Sequence, residues 1–135
     1  MQQRTQPEKL RCRELAVSFT VSDLEQSVAW YRDVLGLHLQ EAVEENGELA
    51  GAIFVAGQLK IFLSQDDFQK GHVRVKGQGF RLWLATAQDI DALAQGIQDR
   101  GGELSSGPQD QEWGARDFTF VDPDGYHVTV TTLLR

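Results

Sequence analysis

The sequence predicts an α+β protein made of two β-α-β-β-β repeats, whose strands form a curved mixed sheet that encloses a cleft. Three observations predict this fold class. The order strand, helix and three strands occurs twice, about 65 residues apart. Both helical patterns stop at glycine, at Gly36 and at Gly101. The strand patterns alternate large apolar residues with small or polar ones, as expected for a sheet with one face on a helix.

A chain of 135 residues is long enough for one domain of ordinary size. We expect a flexible N-terminal arm over 1–12 and a single domain over 13–135. Within that domain, repeat one covers 13–65 and repeat two covers 80–135. The stretch 66–79 between them is polar and rich in glycine, which is typical of a linker.

Repeat one begins with a predicted strand over 15–21, in which four large apolar residues alternate with alanine, serine and threonine. Ser22 and Asp23 give an N-cap signal, and apolar residues then recur at helical spacing until Gly36. On this helix we expect Trp30, Tyr31 and Leu35 to pack against the sheet. Three further strands are predicted over 38–43, 50–56 and 59–64.

Repeat two begins with a predicted strand over 80–87, followed by a helix that Asp89 opens and Gly101 ends. Asp122 and Asp124 belong to an Asp-Pro-Asp-Gly turn, in which we expect the carboxylates to accept hydrogen bonds from nearby amides. Strands are predicted near 103–105, 116–121 and 126–133, with a loop over 105–115.

The formal net charge is −7 and the isoelectric point is near 4.8. This balance argues against binding to nucleic acid or to an anionic membrane, and it favours a cationic ligand over an anionic one. The single cysteine, Cys12, cannot form an intramolecular disulfide. With no apolar leader or membrane-spanning run in the sequence, we expect a cytoplasmic protein.

Three segments, 21–37, 92–102 and 113–126, resemble the glyoxalase/bleomycin-resistance family of the vicinal oxygen chelate superfamily. The resemblance covers most of the chain and is most specific in the Trp-Tyr-Arg-Asp-Val-Leu-Gly-Leu segment and in the Asp-Pro-Asp-Gly turn. It implies the glyoxalase/bleomycin-resistance/dioxygenase fold, a small-molecule ligand in the cleft, and a homodimer. Because this fold carries lyases, isomerases, dioxygenases and binding proteins, the resemblance alone does not select a reaction.

The resemblance also implies where a metal ion would be bound. Metal-dependent members take His, Gln or Glu ligands from four equivalent strand positions, which map here to Ala16, Phe62, Leu82 and Thr129. Three of these side chains cannot bind a metal, and the threonine is a weak oxygen donor. We therefore expect no metal and no other cofactor, which removes the Lewis acid of the lyase and dioxygenase reactions.

The remaining cleft residues are typical of a small-molecule pocket, since apolar side chains are mixed with hydroxyl groups and one imidazole. Trp113 is expected either to stack on a ligand or to anchor its loop, and Arg116 to pair with Glu112, Asp117 or Asp122. The expected lining is Ser18, Thr20, Phe62, Leu82, Leu84, His127, Thr129 and Thr131, in which the leucines could lie on either face of their strand.

These observations favour a metal-independent protein that sequesters a hydrophobic or cationic compound, similar to bleomycin-resistance proteins. A second hypothesis is an enzyme, either a glyoxalase-like lyase, isomerase or dioxygenase with relocated metal ligands, or a metal-free enzyme. In the metal-free case His127 is the only candidate catalytic base. A third hypothesis is a protein with a vestigial cleft that acts through its dimer.

Overall fold

The computed structural model describes residues 8–134. Of the expected arm, 8–12 is exposed and contains no helix or strand, whereas 1–7 lies outside the described residues. Repeat one consists of β1 (Leu15–Val21), α1 (Leu24–Ala29), a π-helical turn (Trp30–Val34), β2 (His38–Glu45), β3 (Glu48–Ala56) and β4 (Leu59–Gln65). Repeat two consists of β5 (Arg81–Ala85), α2 (Ile90–Asp99), β6 (Leu104–Gln111), β7 (Ala115–Val121) and β8 (His127–Leu133).

The two repeats have the same topology, as the sequence predicts. The first sheet has the strand order β1-β4-β3-β2, and the second has the equivalent order β5-β8-β7-β6. In each sheet the first strand of the repeat pairs in parallel with the last, and the other pairs are antiparallel. The linker over 66–79 contains no helix or strand. Neither described α-helix is long and apolar enough to cross a membrane.

The first helix begins as predicted but changes its geometry before it ends. The Asp23 carboxylate accepts a hydrogen bond from the Gln26 N–H at 3.1 Å, which caps α1. From Trp30 the helix widens into the π-helical turn, in which the Leu35 N–H donates to the Trp30 carbonyl at 3.0 Å. Gly36 then ends the segment with a φ of +85°, a conformation that favours glycine.

The strand β6 is longer than predicted. It extends over Leu104–Gln111, where the sequence analysis expected a short strand and a loop over 105–115. This segment has no apolar alternation because β6 is an edge strand, and Pro108 is tolerated at an edge. Its pairing with β7 has two irregularities, and the second, between Ser106 and Gln109, accommodates the glycine and proline.

The hydrophobic core joins the two repeats. Phe54, Phe118 and Phe120 are fully buried on the helix-facing sides of the two sheets. Tyr31 is 0% exposed, and the Trp30 ring lies 5.6 Å from Phe120 in the other repeat. The prediction that Trp30, Tyr31 and Leu35 pack inside is therefore confirmed.

The Asp-Pro-Asp-Gly turn between β7 and β8 also joins the repeats. The Asp122 carboxylate accepts hydrogen bonds from the N–H groups of Asp124 at 2.9 Å and Tyr126 at 2.8 Å, and from the Tyr31 hydroxyl at 2.6 Å. Burial and the nearby carboxylate raise the pKa of Tyr31, so the tyrosine remains a donor. The predicted role of Asp122 and Asp124 in a turn is confirmed.

A buried lysine in the linker adds a third connection. The Lys76 ammonium group lies 3.2 Å from Asp66 and 3.8 Å from Asp124, and it donates to the Ser22 hydroxyl at 3.1 Å. Only 4% of the lysine side chain is exposed. Asp66 also pairs with Arg74 at 3.0 Å. This cluster fastens the linker to the end of β1 and to the turn of repeat two.

The Asp66 carboxylate makes the stability of the protein depend on pH. A hydrogen bond from the Phe68 N–H, with further contributions from Lys76 and Arg74, lowers the pKa of Asp66 from 3.8 to about 2. Because the pKa is lower in the folded state, the ionised carboxylate stabilises the protein at pH values above the pKa of the unfolded state. This contribution is lost as the pH falls from about 4 to 2.

We expect the free energy of unfolding of Asp66→Asn to fall less than that of the wild type between pH 4 and pH 2, measured by denaturant unfolding at each pH. Equal acid sensitivity of the two proteins would contradict this assignment.

Candidate functional site

Each sheet has one face on the core and an opposite face, which we call the open face. On the second sheet, the strand register places Trp83 beside Thr129, and Thr129 beside Thr119. Trp83 is 58% exposed although it lies in the middle of β5. The neighbouring rows of this open face are Arg81, His127 and Val121 on one side, and Ala85, Thr131 and Asp117 on the other.

Leu82 and Leu84 do not share this face. Leu82 is 8% exposed and belongs to the core, and Leu84 packs against it. Because side chains alternate along a strand, both leucines point away from Thr129 and Thr131. Leu84 lines a cavity of about 900 Å³, whose wall also includes Leu93 of α2 and the neighbouring Trp83. The structure therefore corrects the face expected for these two residues.

The first sheet has an open face that carries the other predicted lining residues. Ser18 pairs with Phe62, and Thr20 pairs with Ser64, one row further along β1 and β4. The adjacent positions on the opposite face, such as Phe19, are buried in the core. Ser18, Thr20 and Phe62 thus lie on one surface of repeat one, as their alternation predicts.

The centre of the second open face is polar and largely buried. The hydroxyl groups of Thr119 and Thr129 lie 2.7 Å apart, and the Arg81 guanidinium donates to Thr129 Oγ1 at 3.4 Å. Thr131 Oγ1 is buried and has no hydrogen-bond partner among residues 8–134. Asp117, only 6% exposed, accepts a hydrogen bond from the Gln111 amide at 2.8 Å. A ligand with polar groups could satisfy the free hydroxyl of Thr131.

Sequence reasoning missed Arg81, Trp83 and Asp117 on this surface. The signal was the sequence Arg-Leu-Trp-Leu in β5. The two leucines occupy one face of the strand, and the arginine and the tryptophan occupy the other. An arginine and a tryptophan on the same face predict an open surface only when the leucines are assigned to the core. The core cluster decides this assignment, since Leu82 is buried in it and Leu84 packs against it.

The two predicted residues near the β6–β7 hairpin lie in different environments. Trp113 is at the hairpin tip and is 62% exposed. Arg116 forms ion pairs with Asp91 and Asp110, both at 2.8 Å, and not with the partners expected from the sequence. The hydrogen bonds that the guanidinium donates to these carboxylates, first of all to Asp91, raise the pKa of Arg116. Arg116 therefore connects β7 to α2 and β6 on the helix side of the sheet.

His127 is exposed at the start of β8, on the same face as Thr129. It lines a cavity of about 470 Å³ with Lys76, Phe80 and Arg81, where β5 and β8 begin. His72 lies apart in the linker, stacked on Phe68 with ring centres 4.5 Å apart.

The positions that would hold a metal ion do not fit one. Ala16, Phe62 and Leu82 carry no donor atom, and the Thr129 hydroxyl is already hydrogen-bonded to Thr119. Leu82 also faces the core. Among residues 8–134, no group of three or more His, Cys, Asp or Glu side chains could hold a metal ion.

The chain belongs to the Glyoxalase/Bleomycin resistance protein/Dioxygenase superfamily, whose family model matches residues 15–130. It is 29% identical over 128 residues to the uncharacterized protein YraH of Bacillus subtilis, covering 89% of this chain and 98% of YraH. It is also 29% identical over 112 residues to the glutathione transferase FosA of Serratia marcescens, covering 82% of this chain and 73% of FosA. TnmS3, an antibiotic binding protein from a Streptomyces species, has a similar fold, with a TM-score of 0.70 and 24% identity, over 93% of this chain and 99% of TnmS3.

Proposed function

We propose that this protein is a metal-independent binding protein that sequesters a hydrophobic small molecule against the open face of its second sheet. The observation that carries this proposal is the 58% exposure of Trp83 in the middle of a strand. Removing such a side chain from water is favourable, and a flat aromatic group can stack on the indole. Antibiotic binding by TnmS3 supports a binding role on this fold.

The polar groups around Trp83 suit the orientation of a ligand. Thr119 and Thr129 form a buried pair of hydroxyl groups in the same row, and the free Thr131 hydroxyl lies in the next row. An apolar surface with a few fixed polar groups is the usual composition of a small-molecule site. These groups would set the position of the ligand, while stacking on Trp83 adds to the affinity.

The complete cleft is proposed to form in a homodimer. The strands β1 and β5 are edge strands. The open face of the first sheet, with Ser18, Thr20 and Phe62, is a second surface on the side of its sheet away from the core. A second copy of the chain could place this surface opposite Trp83. Sedimentation at micromolar concentration is expected to give the mass of two chains, and a monomeric mass would contradict the dimer.

The binding proposal is tested with 2-naphthamide, a neutral and flat aromatic probe, by isothermal titration calorimetry. We expect Trp83→Ala to weaken binding about tenfold, because the stacking surface is lost. Val73→Ala is the matched control, since Val73 is a fully exposed apolar residue in the linker. Unchanged affinity in Trp83→Ala, or no binding to the wild type, would contradict the proposal. Trp113→Ala tests separately whether the hairpin tip contributes.

A further inference from the structure

The cavity at the start of β5 and β8 is bordered by positive charge. Its lining includes Lys76, Arg81 and His127 and contains no Asp or Glu. The remaining wall is formed by Val75, Gly77, Gln78, Gly79, Phe80 and Gly125. The cavity is next to the proposed stacking surface, because Arg81 and Trp83 lie on the same face of β5.

Of the two permanent cations in this cavity, Arg81 is the one available to a ligand. Lys76 is buried and engaged by Asp66 and Asp124. Arg81 forms no ion pair within residues 8–134, and its guanidinium contacts Thr129 Oγ1 at 3.4 Å.

The distance between Arg81 and Trp83 defines the shape of the ligand. Residues two apart on a strand are separated by roughly 6.5–7 Å along the strand axis. An aromatic acid whose carboxylate is about this far from its outer ring could stack on Trp83 and reach Arg81. Arginine presents its donors in a planar fork that matches a carboxylate or another oxyanion.

Asp66 and Asp124 offset the charge of Lys76, whereas no acidic side chain within residues 8–134 forms an ion pair with Arg81. On the open face of the second sheet, Asp117 lies two rows and two strands away from Arg81. Its carboxylate already accepts a hydrogen bond from Gln111. The net charge of −7 is that of the whole chain. Salt screens exposed charges that lie far from a binding site, so the groups nearest to the site determine which ligand charge it favours.

We infer that the ligand is an aromatic or similarly flat compound with an anionic oxygen group, which binds to Arg81 while the ring stacks on Trp83. This inference rests on the proposed binding function and specifies its ligand class. It replaces the cationic class that the net charge suggested.

The experiment compares three probes with the same ring system: 2-naphthoate, neutral 2-naphthamide and cationic 2-naphthylmethylammonium. We expect 2-naphthoate to bind the wild type about tenfold more tightly than 2-naphthamide, because a charge-assisted hydrogen bond is added. Arg81→Gln should weaken the binding of 2-naphthoate about tenfold, so that the acid no longer binds more tightly than the amide. Arg81→Lys should retain part of it, since the charge remains but the planar fork is lost.

Arg13→Gln is the matched control, because Arg13 is an exposed arginine that precedes β1, and this variant should behave as the wild type. Equal binding of the acid and the amide, unaffected by Arg81→Gln, would overturn the inference and leave the proposed function intact. Tighter binding of the ammonium probe would overturn it in favour of the cationic class. Failure of all three probes to bind would contradict the proposed function together with the inference.

Discussion

Asp122→Ala is expected to lower the free energy of unfolding by about 3–5 kcal/mol. The substitution removes a carboxylate that accepts three hydrogen bonds, from the Tyr31 hydroxyl and from the N–H groups of Asp124 and Tyr126. Tyr31 is 0% exposed, so its hydroxyl would be left without a partner and without water. The same change also leaves the N–H groups of Asp124 and Tyr126 without their acceptor, which loosens the turn after β7. The loss at Tyr31 and the loss in the turn both lower the free energy of unfolding.

Chemical denaturation of the variants measures this effect. Tyr31→Phe removes one donor and leaves Asp122 with its two amide partners, so we expect a smaller loss of about 1–3 kcal/mol. Asp99→Ala is the control, because Asp99 is an exposed aspartate that accepts one hydrogen bond from Gln95. A loss no larger in Asp122→Ala than in Asp99→Ala would show that the turn does not hold the repeats together.

Lys76→Met is expected to lower the free energy of unfolding by about 3 kcal/mol. Methionine retains most of the apolar stem of the side chain, so the change chiefly removes the charge. Asp66 and Asp124 would then lie close to each other without the ammonium group between them, and only Asp66 would keep a cationic partner, Arg74. Taking one partner from a buried ion pair is costly because the other charge remains out of water.

Lys60→Met provides the matched comparison for this effect. Lys60 pairs with Glu14 at 3.5 Å, and the glutamate side chain is 58% exposed. An exposed pair of this kind contributes about 0–1 kcal/mol. If both lysine variants lost the same small amount of stability, the buried cluster around Lys76 would not be a structural connection between the linker and the turn.

Much of the fold could be predicted because its signals are local. The Asp23 cap, the helix end at Gly36 and the apolar alternation of β1 each depend on neighbouring residues, and all three are present in the structure. The repeat doubles this information, since each element is expected twice. The strand β6 was predicted too short, near 103–105, because its pairing with β7 specifies its length and no local pattern in Leu104–Gln111 does.

The candidate site was harder to predict because it depends on which face of a strand meets the core. In β1 one face is clearly apolar, so Ser18 and Thr20 could be placed correctly. In β5 both Leu82 and Trp83 are hydrophobic, and only the contacts of Leu82 with distant core residues decide between them. The partners of Arg116 illustrate the same limit, because Asp91 lies 25 positions away along the chain.

The exposure of Trp83 also gives the protein a built-in optical probe. An indole in water emits at longer wavelength than one in an apolar environment. The three tryptophans are therefore expected to differ in the wavelength of their fluorescence emission. Trp30 is packed against Phe120, whereas Trp83 and Trp113 are 58% and 62% exposed. With Trp113 replaced by phenylalanine, the red-shifted emission arises from Trp83 alone. Any compound that covers this strand would then shift or quench the emission, so a library could be screened for the natural ligand without a label.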